Sequence, residues 1–188
     1  MKRTLFKNAI ILTMDAALGE LTGADLLVEG ERIAAVGGTI DAADAEIIDA
    51  GQAIIIPGLI NTHIHTWEMG LRGIGADWVG SRDYHAIVHR NLAMRYQPED
   101  NYVANLLGGL NQIDGGTTTI FDWCHNITHI DLAHAALDGL EESGIRAVFG
   151  YGTAKPAQKP GEKPYSEIAF PREPIEALRK DIAGLKKA

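Results

Sequence analysis

The sequence predicts an α/β fold in which a small antiparallel sheet is followed by about three parallel βα units. Two observations lead to this prediction. Residues 1–57 contain short apolar runs separated by clusters of Gly, Asp and Glu, a pattern typical of strands and turns. From residue 58 onward, strand-like and helix-like segments alternate, as they do where helices connect parallel strands through right-handed crossovers.

The N-terminal segment is predicted to form a sheet from five short apolar runs. They are residues 9–12, 26–28, 33–36, 47–48 and 54–56. Between the second and third runs, Gly30 can adopt the positive φ that a tight turn often requires. We therefore predict a hairpin over residues 28–33, within an antiparallel sheet.

The first helix after the N-terminal segment is predicted to begin at Pro98. Proline suits the first helical turn, and the acidic Glu99 and Asp100 suit the positive end of the helix dipole. Apolar side chains then fall on one helical face, at Val103, Leu106, Leu107, Leu110 and Ile113. Gly115 and Gly116 are predicted to end the helix rather than bind phosphate, because no glycine-rich fingerprint follows.

Four further elements and a loop complete the predicted alternation. The β-branched residues 117–121 predict a strand, and a helix is predicted from about Ile130 to near Gly144, with Ala133, Leu137 and Leu140 in register. Residues 145–151 predict the next strand. Residues 156–174 hold five of the seven prolines and predict an irregular loop, after which a third helix begins near Pro174.

Composition restricts the possible partners. The 188 residues carry a net charge of -8, which argues against nucleic acid, since that binding depends on clustered Lys and Arg. No apolar run approaches the roughly 20 residues of a membrane helix, and the one cysteine, Cys124, cannot form an intramolecular disulfide. We therefore expect a cytoplasmic protein whose partner is a small molecule rather than a nucleic acid or a membrane.

His63 and His65 are the strongest candidates for chemistry. Side chains two apart in a strand point the same way, with Cα atoms roughly 6.5 Å apart, so the two imidazoles can bind one metal ion. A bare His-x-His pair is more often two polar residues on a half-exposed strand. Here the strand is apolar and follows Pro57 and Gly58, which favours a metal such as Zn²⁺ or Fe²⁺ as their partner.

Three stretches of sequence resemble the amidohydrolase superfamily, in particular its mononuclear deaminases and triazine-type hydrolases. They are PGLINTHIHTWEMGLRG from Pro57, DGGTTTIFDWCHN from Asp114 and IRAVFGYG from Ile145. The resemblance implies a (β/α)₈ TIM barrel beginning in residues 58–188, preceded by a β-sandwich segment in residues 1–57. It also implies hydrolysis of non-peptide carbon–nitrogen bonds in a small cyclic or heteroaromatic substrate.

The resemblance further implies one divalent metal, Zn²⁺ or alternatively Fe²⁺, with His63 and His65 as two of its ligands. The family draws its other ligands from later strands, and no such positions precede Ala188. We therefore expect the N-terminal portion of a longer enzyme, which needs a complementing barrel half, and we assign no catalytic residue.

Two alternatives to an enzyme portion stay open at this point. The chain could be a truncated product that acts as a binding or assembly module, or forms a homo-oligomer, through the exposed edge of its third parallel strand. In the second alternative, His63 and His65 have only a structural role. Metal content and turnover distinguish these possibilities.

Residues near the ends of the first two parallel strands are candidates for substrate binding. They are Trp67, Glu68, Arg72, Trp123 and His125. Trp67 is the favoured substrate wall, because a flat aromatic face suits a planar heterocycle. A solvated loop explains Glu68 and Arg72 equally well, and a plain structural role explains His125 equally well.

The other polar residues of this region are predicted to have ordinary roles. Cys124 is expected to be a small buried side chain rather than a nucleophile, since no paired base is evident from the spacing. The remaining histidines are predicted to be ordinary polar residues on helices or loops, namely His85, His89, His129 and His134.

Overall fold

A computed structural model of the chain describes residues 2–51, 53–153 and 161. The predicted loop over residues 156–174, apart from Gly161, and the predicted helix near Pro174 lie outside the described residues. The chain divides into two compact units, one ending at Gly58 and the other beginning at Leu59.

The first unit contains one five-stranded sheet. Its strands are β1 (Arg3–Leu12), β2 (Glu20–Glu29), β3 (Arg32–Gly37), β4 (Glu46–Asp49) and β5 (Ile54–Ile55). The strand order is β3-β2-β1-β4, and β5 also pairs with β1. All five apolar runs identified in the sequence therefore lie in or overlap strands of this sheet.

The sheet is mixed, so the prediction of an antiparallel sheet is correct only for β1 to β3. The β2–β3 hairpin turns at Gly30, whose φ is 60°, as predicted. However, β4 and β5 pair parallel to β1. The reason is that residues 38–45 return to the opposite end of the sheet before β4 begins. The described residues of this unit form a single sheet, and the β-sandwich stays a prediction.

One buried carboxylate of β2 links strand β1 and the segment after β3 in the first unit. Asp25 is 2% exposed and accepts hydrogen bonds from the backbone N–H groups of Asn8 (3.1 Å) and Ile40 (2.9 Å). Burial raises the pKa of Asp25, but these two donors and the charge of Lys7 lower it by more, so its pKa lies below the ordinary value.

The second unit contains a three-stranded parallel sheet and two α-helices. The sheet has the order β6-β7-β8, and its elements are β6 (Leu59–Ile64), α1 (Pro98–Asp114), β7 (Thr117–Ile127), α2 (Ile130–Ser143) and β8 (Arg146–Thr153). Between β6 and α1 lie a 3₁₀ helix (Thr66–Leu71), a π-helix (Gly80–Leu92) and a 3₁₀ turn (Ala93–Arg95), none of which the sequence pattern predicted. The mixed α/β character and the parallel alternation agree with the prediction.

The predicted ends of both helices are confirmed. Pro98 opens α1, where the Asp100 carboxylate accepts a hydrogen bond from the Gln97 backbone N–H, and Gly115 follows its last residue. Helix α2 ends at Gly144, whose φ of 76° is left-handed and therefore suits glycine.

The buried face of α1 differs from its apolar face. The side chains identified as one apolar face are largely exposed, with 43% for Val103 and 52% for Leu107. The buried face consists instead of Asn101, Ala104, Asn105, Gly108 and Gly109. Asn126 of β7 and the Leu132 carbonyl of α2 supply hydrogen-bond partners for Asn101, whereas Asn105 donates to the Asn101 carbonyl within α1.

Among the helices of the described residues, none combines the length and the apolar character that a membrane span requires.

Candidate metal centre and adjoining pocket

His63 lies near the end of β6, and His65 follows directly after it. Their Nε2 atoms are 3.3 Å apart. The two rings are nearly perpendicular, with an interplanar angle of 82°. The prediction that the two imidazoles share one face of the strand is therefore confirmed, because strand geometry returns every second side chain to the same side.

The ring of His65 is oriented by the neighbouring strand. Its Nδ1 lies 2.8 Å from the carbonyl oxygen of Trp123 in β7. A carbonyl can only accept, so Nδ1 must carry the proton, which leaves Nε2 of neutral His65 with its lone pair directed towards His63. A hydrogen bond of this kind from the distal ring nitrogen is the usual support of a metal-binding histidine.

This donor pair fits one divalent metal ion. Two nitrogens bound to the same tetrahedral zinc at about 2.0–2.1 Å lie about 3.3 Å from each other. An ion must also lie in the plane of each imidazole that binds it, and two nearly perpendicular planes intersect along a line. The spacing of the His63 and His65 nitrogens therefore meets the requirement, and their ring planes are compatible with a shared ion.

The backbone after His65 is held by a buried carboxylate. The Thr66 N–H donates to Asp122 Oδ1 across 2.9 Å, and both residues are buried, with exposed fractions of 1% and 0%. Burial raises the pKa of Asp122 to about 6, although the hydrogen bonds from Thr66 act in the opposite direction. Residues 122 and 123 of β7 therefore hold the backbone and the ring at the end of β6.

A second group of donor atoms adjoins the histidine pair. The ligand atoms of Glu68, His89 and His125 all lie within 4.8 Å of one another. His125 is 6% exposed, and its ring centroid is 4.1 Å from that of His65. Its Nε2 lies 3.8 Å from Glu68 Oε1. The Tyr84 hydroxyl donates to the same Glu68 oxygen.

The arrangement of this second group does not suit chelation of one ion. The His89 and His125 rings are stacked, with an interplanar angle of 7° and ring centroids 4.3 Å apart. Two parallel, separated ring planes have no common line on which an ion could meet both nitrogens. We therefore interpret Glu68, His89 and His125 as polar groups beside the metal centre.

Burial changes the pKa values of Glu68 and of its hydrogen-bond partner Tyr84. It raises the pKa of Glu68, against the hydrogen bond from Tyr84 and the charge of His65. It also raises the pKa of Tyr84, together with the hydrogen bond to Glu68 and the charge of that residue. The Tyr84 phenol therefore stays protonated and remains a hydrogen-bond donor.

A cavity of about 480 Å³ opens beside His65 in the second unit. Its lining consists of His65, Tyr84, His85, His89, Trp123, His125, Tyr151, Gly152 and Thr153. The residues come from the carboxyl ends of β7 and β8, from the end of β6 and from the π-helix. The histidine pair, the polar group and the cavity therefore form one continuous site.

Trp123 and His125 lie on the cavity surface, whereas Trp67 does not. Trp123 is 44% exposed, and its ring centroid lies 5.7 Å from that of His65. Trp67 is fully buried and packs against Tyr96, at 5.1 Å between ring centroids, and behind His125. The prediction that Trp67 forms a substrate wall is corrected, because the 3₁₀ turn after His65 directs the indole into the core.

The two charged candidates lie in different environments. Glu68 is within the polar group, and it also lines a neighbouring cavity of about 450 Å³ with Tyr84 and Trp78. Arg72 is exposed and is not among the residues that line the cavities beside His65 and beside Glu68. Cys124 is fully buried and burial raises the pKa of its thiol, in agreement with the prediction that it is not a nucleophile.

The sequence analysis did not consider Tyr84, and it predicted His85 and His89 to be ordinary polar residues, whereas all three line this cavity. Tyr84, His85 and His89 reach the cavity from the π-helix. The four-residue separation of His85 and His89 was a usable signal, since it places both on one face of a helix. That signal needed a helix where the sequence pattern indicated only a polar, glycine-rich stretch.

The amidohydrolase family model matches residues 54–187. This chain belongs to the amidohydrolase family. The matched part includes the histidine pair, the polar group and the cavity of the second unit.

Three known proteins show the range of similarity. The chain is 35% identical over 154 residues to 5'-deoxyadenosine deaminase of Methanobrevibacter smithii, covering 79% of this chain and 32% of that one. It is 34% identical over 168 residues to 5-methylthioadenosine/S-adenosylhomocysteine deaminase of Carboxydothermus hydrogenoformans, covering 87% and 36%. A mutant atrazine chlorohydrolase of Arthrobacter aurescens TC1, solved with zinc and atraton, matches with a TM-score of 0.63 and 24% identity, covering 78% and 35%.

These similarities support an α/β fold of the amidohydrolase type. The chain spans about a third of the length of the relatives that it matches.

Proposed function

We propose that this chain carries the first metal-binding strand and part of the substrate pocket of a metal-dependent hydrolase. The reaction is hydrolysis of a non-peptide carbon–nitrogen bond in a small heteroaromatic substrate, of the deaminase type. The observation that carries the proposal is the 3.3 Å separation of the His63 and His65 Nε2 atoms, with His65 Nδ1 held by the Trp123 carbonyl.

The metal ion proposed for His63 and His65 is Zn²⁺, with Fe²⁺ as the alternative. Neutral imidazole suits both ions, and the spacing of the two nitrogens matches tetrahedral zinc. When bound, such an ion supplies Lewis acidity and lowers the pKa of a coordinated water to about 7. His63 and His65 would hold such an ion beside the cavity that His65 lines.

The cavity is proposed to bind a planar heteroaromatic ring. Trp123 offers a partly exposed indole beside the histidine pair, and stacking against such a face suits a flat ring. The deaminases among the relatives act on adenine nucleosides by their names, and the structural relative was solved with atraton, so an amino-substituted heterocycle is the substrate class that we propose.

Polar groups around the ring position are proposed to orient the substrate. His125 and Glu68 lie together beside His65, and the Tyr84 hydroxyl fixes Glu68 from behind. Glu68 has an elevated pKa owing to burial. It can therefore exchange a proton with a nitrogen of a bound heterocycle more readily than a solvated carboxylate can. No contact supports a substrate-binding role for Arg72.

The proposed site lies in a chain whose two units we assign to parts of a larger fold. Residues 58–188 are proposed to be the first part of a (β/α)₈ barrel, and residues 1–57 a β-sandwich segment. The parallel order β6-β7-β8 supports the barrel, since the proposed site lies at the carboxyl ends of the strands, where barrel enzymes place their active sites.

Turnover on a defined substrate panel tests the proposal. The protein containing this chain is loaded with Zn²⁺ and assayed for ammonia release from 5'-deoxyadenosine, 5-methylthioadenosine and amino-substituted triazines. We expect ammonia release from at least one compound, which the H63A/H65A double variant abolishes and the H129A/H134A double variant retains. Equal turnover by wild type and H63A/H65A would contradict the proposal, as would the absence of turnover on every compound.

A further inference from the structure

We propose that Asp122 and Gly108 are positioning residues for the metal-binding pair, and that both act through Thr66. This inference rests on the proposed function of His63 and His65. Thr66 follows His65 directly, so the position of the Thr66 backbone helps to fix the position of the His65 Cα atom, from which the side chain extends. Neither Asp122 nor Gly108 is proposed to bind metal or substrate.

Asp122 holds Thr66 from the side of the sheet. Its Oδ1 accepts the Thr66 N–H across 2.9 Å, and its side chain is 0% exposed, so no water can replace the carboxylate without rearrangement. The backbone carbonyl of the next residue, Trp123, accepts a hydrogen bond from His65 Nδ1. Consecutive residues of β7 therefore hold the backbone and the ring of the segment that ends β6.

Gly108 holds Thr66 from the side of α1. A Cβ built at position 108 would lie 2.3 Å from Thr66 Cγ2 and 3.1 Å from the Thr66 carbonyl oxygen. Both distances are shorter than van der Waals contact, so α1 approaches this turn as closely as a glycine allows. A side chain at position 108 must therefore displace the Thr66 Cγ2 methyl group, and it also presses on the Thr66 carbonyl oxygen of the backbone that follows His65.

Thr66 is therefore held between a hydrogen bond on one side and a steric contact on the other. Loss of the hydrogen bond leaves a buried N–H without its acceptor, and loss of the space moves the turn. Partners that orient metal ligands in this way typically contribute about 10–100-fold to metal affinity. We expect effects of this size on metal binding by the chain.

Four variants test the inference. D122A removes the acceptor, and D122N keeps an oxygen that can accept from Thr66. G108A adds the obstructing methyl group, and T66S/G108A removes the Cγ2 atom that the methyl group would contact. G115A is the matched control on α1, because a Cβ there meets only the Asn111 and Gln112 carbonyl oxygens at 3.5 Å.

The measurement is the dissociation constant for Zn²⁺, obtained by competition with a chromophoric chelator, with near-ultraviolet circular dichroism as the check on folding. We expect D122A and G108A to weaken binding by about 10–100-fold. D122N, T66S/G108A and G115A should stay within about threefold of wild type, a change well below the effect of a lost ligand support.

Folded D122A and G108A variants with wild-type affinity would overturn the inference. If D122A does not fold, the Zn²⁺ affinities of G108A and T66S/G108A are compared instead. The inference is overturned if T66S/G108A binds Zn²⁺ no more tightly than G108A does. The H63A/H65A variant separates the two levels of the argument. If it binds Zn²⁺ as wild type does, the proposed function itself fails, whereas a loss confined to H63A/H65A removes only the positioning role.

Discussion

The Nδ1 atom of His65 donates a hydrogen bond to the Trp123 carbonyl oxygen across 2.8 Å, and this contact joins the ends of two neighbouring parallel strands. The contact uses the backbone of Trp123, whereas the indole of the same residue lines the cavity. One residue therefore supports the candidate metal ligand His65 and lines the cavity through different atoms. Mutation of the side chain can separate these two roles.

Replacement of Trp123 by alanine tests that separation. W123A removes the indole and keeps the carbonyl, so we expect Zn²⁺ affinity to stay within about threefold of wild type, since the ligand support is retained. Binding of a heteroaromatic amine should weaken by up to about tenfold, because an aromatic pair contributes about 0.5–1.5 kcal/mol beyond area burial. Isothermal titration calorimetry measures both, with W123F as the control that keeps an aromatic face. Unchanged amine binding by W123A would contradict the proposal that the Trp123 indole contacts the substrate.

The buried amide pair of Asn101 and Asn126 is expected to stabilise the second unit. Asn126 Nδ2 donates to Asn101 Oδ1 across 2.6 Å, and both side chains are 0% exposed. N126A leaves the Asn101 oxygen without this donor, which should lower the free energy of unfolding by about 1–3 kcal/mol. Urea unfolding measures this change. The control is N111A, which replaces an exposed asparagine of α1, the helix that contains Asn101. It should change stability by no more than about 0.5 kcal/mol, and an equal effect of N111A and N126A would contradict the expectation.

Gly139 is expected to be required for the close packing of α1 and α2. A Cβ at this position would lie 2.4 Å from the Tyr102 carbonyl oxygen and 2.9 Å from the Leu106 nitrogen. Glycine to alanine in an open helix stabilises by about 1 kcal/mol, whereas G139A should destabilise by about 1–3 kcal/mol through overpacking. The sign of the change in urea unfolding decides between these outcomes, and a more stable G139A variant would show that the helices can separate without cost.

Asp25 is expected to make the stability of the first unit depend on pH. Its pKa is lowered in the folded chain, because hydrogen bonds from Ile40 and Asn8 outweigh the effect of burial. A lowered pKa contributes stability above the unfolded value of about 3.9, and this contribution is lost as the pH falls through the folded value. The stability difference between wild type and D25N should therefore be constant at neutral pH and shrink below about pH 4. Urea unfolding of both proteins between pH 3 and pH 7 tests this, and a constant difference across the range would contradict it.

Local sequence signals predicted the elements well. Gly30 and Gly144 adopt positive φ at the predicted turn and helix end, and Pro98 opens α1. The two-residue period of a strand also placed His63 and His65 together. Each of these features depends on a few consecutive residues, so the chain pattern alone contains the required information.

Features that depend on distant residues were not predictable in this way. Asn101 is buried because Asn126, 25 positions later, supplies its partner. His89 joins the site because the π-helix brings it onto His125, and Trp67 enters the core because the 3₁₀ turn reverses its direction. In each case tertiary packing decides the environment of the side chain, and a single sequence does not reveal which distant segment will pack there.

The most direct test of the central claim is the stoichiometry and affinity of Zn²⁺ binding by the purified protein that contains this chain. We predict one equivalent of bound Zn²⁺, which is lost in H63A/H65A. The H129A/H134A variant removes two histidines that do not line the cavities beside His65 and Glu68, and it should bind as wild type does. Retention of the bound equivalent by H63A/H65A, with loss in an H89A/H125A variant, would contradict the account and place the metal in the polar group.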